Sequence, residues 1–192
     1  MAPRIGVAVG LVAGCVLALQ VLLTRLFSAA LFYHFSFLSI SLALLGAGGG
    51  AIAVYLRPDW FDRRPLETEL ARLCLVLAGL LIVVPVALAR IDFGTSDAIT
   101  ARFVGLLALA SVLCTTIFTV AGIVIALAVR GYTSSIARLY AFDLTGAALG
   151  SLAVVPLMWA VGVPSLVVGL APVAAVAALL FAGPDRRLRA PA

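Results

Sequence analysis

The sequence predicts an all-α polytopic membrane protein: a bundle of six transmembrane helices with both termini in the cytoplasm. Three observations predict it. Of 192 residues, 65% are hydrophobic and 11% are charged, whereas about a quarter of the residues of an ordinary soluble domain are charged. Several apolar runs reach the roughly 20 residues that cross a bilayer as a helix. The thirteen basic residues, all arginine, fall unevenly among the connections between those runs.

This composition bounds the function. The net charge of +5 reads as topology-setting and contact with lipid headgroups, with no nucleic-acid partner. Cys15, Cys74 and Cys114 sit singly in three different apolar runs, and there is one histidine. Neither a metal site nor a disulfide framework is signalled, so the cysteines read as small packing residues. No cofactor is expected for this chain.

The first span runs over about 5–27. Gly6, Gly10 and Gly14, followed by Ala18, recur every four residues and give a neighbouring helix one smooth stripe. Val12-Ala13-Gly14-Cys15 imitates a lipoprotein cleavage site, but the run stays apolar to Leu19, so the segment is read as retained. The second span, about 32–56, opens on Tyr33-His34-Phe35, which suits an interfacial aromatic belt. Its Gly46-Ala47-Gly48-Gly49-Gly50-Ala51 imitates a dinucleotide-binding loop. That loop needs a preceding strand. Inside an apolar helix, Gly46 and Gly50 read as close-packing positions instead.

Arg57 to Glu69 is the one strongly polar connection, and Pro65 is expected in the first turn of the helix that follows. The third span is about 70–88, with a kink expected at Pro85. The fourth, about 103–129, is long enough to tilt. Its Thr115, Thr116 and Thr119 can bond their own helix carbonyls. Thr133-Ser134-Ser135 signals a helix cap before the fifth span, about 139–161. Gly162-Val163-Pro164-Ser165 signals a tight reversal, and the sixth span covers about 166–182 with Pro172 inside it. The membrane domain is thus 1–183, and 184–192 is a short basic tail.

Orientation follows from counting arginines. One face holds Arg4, Arg57, Arg63, Arg64, Arg72, Arg130, Arg138, Arg186, Arg187 and Arg189, and the other holds Arg25, Arg90 and Arg102. The first face, which carries both termini, is placed in the cytoplasm.

Two polar groups are candidates for function. The first is Tyr140–Gly150, which holds Asp143 and the packing pair Gly146 and Gly150. Asp143 is the one acid inside a long apolar run, and such an acid is a functional candidate by default. Counted back from Trp159, it lies near the cytoplasmic interface. There it can snorkel, meet Arg138 or Arg130, or accept from helix-start amides as a capping or helix-pairing acid, or else act as a functional acid. The second group is at the other face. It comprises Gln20, Thr24, Arg25 and Ser28 with Tyr33, His34 and Ser36 across a short link. Arg25 has Asp92 or Asp97 as a candidate partner. His34 either titrates near neutral pH or makes an interfacial hydrogen bond. Asp143 and Arg25 belong to opposite leaflets.

Leu22-Leu23-Thr24-Arg25-Leu26-Phe27-Ser28, Tyr33-His34-Phe35, Ser41-Leu42-Ala43-Leu44-Leu45-Gly46 and Tyr140–Gly150 resemble the N-terminal membrane part of bacterial spermidine-synthase-like integral membrane proteins. The likeness touches the first, second and fifth spans. It implies a module that anchors or partners a cytosolic aminopropyltransferase-like domain, which in that family follows the spans and binds an adenosylmethionine-type cosubstrate. This sequence ends shortly after the sixth span, so the catalytic half is expected on a separate chain or beyond this one. Some relatives carry an acid where Gln20 stands. The module alone is expected to lack enzymatic activity, to sit in the inner (plasma) membrane, and to contact lipid. Self-association is left open. The competing reading is a small-solute, amine-type permease or ligand-binding protein, with glycine-rich spans and proline breaks lining a path. An intramembrane hydrolase is disfavoured, because no strained nucleophile motif accompanies Ser28, Ser36 and His34.

Overall fold

A computed structural model of the chain describes residues 2–30, 36–90 and 101–183. They form helices α1 (Pro3–Ala30), α2 (Ser36–Leu56), α3 (Pro58–Phe61), α4 (Leu66–Leu88), α5 (Ala101–Gly131), α6 (Ile136–Val161) and α7 (Val163–Ala182). No strand occurs among the described residues. All but the short α3 are long and apolar enough to span a membrane. The protein is an all-α, multi-pass membrane bundle. Helices are the form that allows an isolated apolar segment to satisfy every backbone polar group without water.

The helices extend further at their ends than the apolar runs. Helix α4 starts at Leu66, four residues before the third span's expected edge, because Glu67 and Glu69 sit favourably in its first turn. Pro65 is its N-cap, one position ahead of the first turn expected for it. The polar connection is not wholly loop, since Pro58–Phe61 closes one helical turn. Thr133–Ser135 forms a 3-10 turn, and Ser135 caps α6 without a side-chain hydrogen bond. The expected reversal at residues 162–165 contracts to Gly162 alone, whose φ of 85° suits glycine. Val163 to Ser165 already belong to α7, with Pro164 in its first turn, where the missing N–H is not needed. Pro85, Pro156 and Pro172 lie within helices. The threonines bond as expected: Thr115 to Ser111 O at 2.8 Å, Thr116 to Leu113 O at 2.6 Å and Thr119 to Thr115 O at 2.9 Å.

Helix α1 is the hub. It packs on α2, α5, α6 and α7, and 61% of its apolar window is buried, against 6% for the span containing α6. Three pairings dominate: α1 with α6, α2 with α5, and α4 with α7. Two of them are built on the predicted glycines. A Cβ added to Gly10 would stand 2.8 Å from Phe142 O, and one on Gly14 would stand 2.8 Å from Gly146 O. Gly146 and Gly150 reciprocally face the Gly10 and Gly14 backbones, and the Phe142 ring covers Gly6. In the second crossing, a Cβ on Gly46 would lie 2.8 Å from Thr115 O, and one on Gly50 would lie 2.9 Å from Ile123 N. Backbones this close gain dispersion along their length, and lipid tails cannot compete for the same contact. Gly122 meets Ala47 in this crossing and was not singled out from the sequence. Its signal there is Gly122 with Ala126, small residues four apart.

Among the described residues, the ion pairs gather at one end of the bundle. Arg4 reaches Glu67 at 3.0 Å, and Arg130 reaches Asp62 at 2.8 Å. Glu69 is held by Arg64 at 3.5 Å and Arg72 at 3.4 Å. The Arg57 guanidinium lies 5.1 Å from the centre of the Trp60 ring. The Arg4 head also lies against Gly183, so the start of α1 and the end of α7 meet at this end.

Candidate functional site

The residues flanking Asp143 determine its surroundings. Gly146 and Phe142, one turn and one residue away, lock α6 onto α1. That crossing turns Asp143 toward a cavity of about 460 Å³ between α1, α5 and α6. Val9, Ile125, Val129 and Leu139 supply its apolar wall, and Tyr140 lies beside the acid. Val9 is five residues from Arg4, so the cavity sits roughly 8 Å along the helix axis from the charged end.

One carboxylate oxygen, Asp143 Oδ1, is fully enclosed and has no hydrogen-bond partner among the described residues. Neither arginine considered for it supplies one. Arg130 turns at the end of α5 toward Asp62, and Arg138 is exposed at the start of α6. The helix-start amides are also out of reach, because α6 begins seven residues earlier, at Ile136. Tyr140 is largely exposed at 61%.

The second group is only partly described. Tyr33, His34, Asp92 and Asp97 lie outside the described residues. The Gln20 backbone carbonyl accepts from Thr24 Oγ1 at 2.8 Å and from Ser39 Oγ at 3.1 Å. Ser39 is completely buried, so this bond ties α2 to α1. The sequence did not single out Ser39. Arg25 is exposed, and no ion pair to it occurs among the described residues. It lies sixteen residues beyond Val9 on α1, roughly 24 Å along the axis. The two groups therefore occupy opposite ends of the bundle.

At the charged end, Tyr132 links α5 to the start of α4 by donating to Glu67 Oε1 at 3.4 Å. Burial, then the neighbouring Glu67 carboxylate, push its phenol up to about 12. No three histidine, cysteine or acidic side chains come together as a metal site among the described residues. The cysteines are buried and unbridged, and Cys15 Sγ lies 3.8 Å from Leu170 O. A larger groove of about 540 Å³ between α1, α6 and α7 is walled by Leu11, Leu149 and Leu170 over a glycine floor, and no charged side chain lines it.

The fold and site define a class, the multi-pass α-helical membrane proteins with one acid set into an apolar interhelical cleft. No protein-family model, curated protein or solved structure matches the chain.

Proposed function

We propose that the chain is a membrane module of the spermidine-synthase-like kind, which anchors or partners a cytosolic aminopropyltransferase-like domain. It sits in the inner membrane with its charged end in the cytosol. The observation that carries this reading is the meeting of both ends of the helical bundle at the charged end, where Arg4 lies against Gly183 and bonds Glu67. A domain joined after α7, or docked from the cytosol, meets the start of α1 and the polar connection together. The excess of arginines on that face supports the orientation. The motif likeness in the first, second and fifth spans supports the choice of partner.

The bundle is the passive half of this arrangement. It supplies placement and a rigid ion-paired surface, and the transfer chemistry belongs to the partner. A photo-crosslinking residue placed at exposed Arg63 tests this in the native membrane. A crosslinked protein carrying an aminopropyltransferase-type domain is expected. Crosslinks confined to lipid and to further copies of the chain would remove the reading.

A further inference from the structure

The geometry points to a ligand site at Asp143 for an amphipathic amine, a single ammonium group on a hydrocarbon body. Three features of the cleft carry this. The first is its charge. Asp143 lines the cleft, its Oδ1 is enclosed without a hydrogen-bond partner, and three arginines of this end are turned elsewhere: Arg4 to Glu67, Arg130 to Asp62, and Arg138 exposed. A carboxyl group in such a place is held as its anion by a cation brought to it with hydrogen bonds.

The second is its wall. Apart from Tyr140 and the acid, the lining is aliphatic, so the body of the ligand must be hydrocarbon. A polyamine would strand its other ammonium groups against Val9, Ile125 and Leu139, which disfavours it. The third is its position. The cleft lies within a turn or two of the charged end and between spanning helices. An amphiphile partitioned into the bilayer reaches that depth with its head near the interface. Pockets that take small ligands share this plan of apolar walls with few placed polar groups. The site is complete within one chain and does not depend on the cytosolic partner proposed above.

The test is calorimetric titration of hexylamine into the full chain in nanodiscs, with empty nanodiscs subtracted. Saturable binding of one amine per chain is expected. Asp143→Asn should weaken it roughly tenfold or more. Val129→Trp, at a partly exposed position that can fill the cleft while leaving the acid in place, should weaken it comparably. Hexanol and spermidine should fail to displace the amine. Absence of saturable binding, undiminished binding by Asp143→Asn, or equal displacement by hexanol would overturn the proposal. So would binding that emerges only when Arg186, Arg187 and Arg189 are all replaced by alanine, because the acid would then be serving the chain's own tail. Should Asp143→Asn fail to fold, Val129→Trp and the hexanol competition decide the question alone.

Discussion

Gly146 faces the backbone of Gly10, where even one methyl group has no room. Overpacking of this kind costs about 1–3 kcal/mol, and α6 has little other burial to absorb it. Gly146→Ala should therefore lower the thermal midpoint in detergent. Gly48→Ala and Gly49→Ala, which point into open space, should leave it unchanged or raise stability by up to about 1 kcal/mol, the helix preference for alanine. Tyr132 offers a test by pH. Its phenol is raised from 10.0 to about 12, so the neutral form is the one the fold stabilises. That contribution is complete below the ordinary value and is lost as pH climbs from about 10 to about 12. A late tyrosinate absorbance phase near the top of that window should vanish in Tyr132→Phe. At this scale the sequence was informative where spacing carried the signal, as with Gly6, Gly10, Gly14, Gly46, Gly50, Gly146 and Gly150. It was less so for Gly122, whose partner Ala47 lies on another helix. The isolation of Asp143 from Arg130 was not legible either. Whether a long side chain turns inward or toward a loop depends on tertiary placement.

Among the elements, α4 is anchored at its start by Glu69, whose side chain is only 7% exposed between Arg64 and Arg72. Removing both arginines leaves a nearly buried carboxylate without its partners, at a cost of about 1–3 kcal/mol. The double variant Arg64→Ala/Arg72→Ala should lose stability by that order in chemical denaturation. Arg4→Ala, which opens a pair with side chains exposed at 34% and 40%, should lose about 1 kcal/mol or less. The six spans were legible because each apolar run is bounded by polar or turn residues. Their ends were read short at Leu66, Ile136 and Val163. Apolar content marks where a helix meets lipid, whereas caps, acidic first turns and a proline at the helix start mark where it begins.

For the whole molecule, the sequence does not determine which helices pair. Spans that are apolar on every side carry no stripe that distinguishes core from lipid, and only the glycine series hinted at partners. The resulting arrangement has α1 at the hub, α6 held mainly by its glycine crossing, and α4 closed against α7. It gathers the ion pairs of the described residues at one end, and sets Asp143 near that end and Arg25 near the other. In the proposed orientation these ends face opposite sides of the membrane, with the charged end inside. That orientation is tested most directly by labelling with a membrane-impermeant maleimide, using Ser28→Cys, Arg63→Cys and Arg138→Cys variants in which the three native cysteines are replaced. Ser28→Cys is expected to label in intact spheroplasts, and Arg63→Cys and Arg138→Cys only after lysis. Labelling of Ser28→Cys and Arg63→Cys from the same side would contradict the six-span fold, and labelling of Arg63→Cys and Arg138→Cys but not Ser28→Cys in intact spheroplasts would invert the orientation.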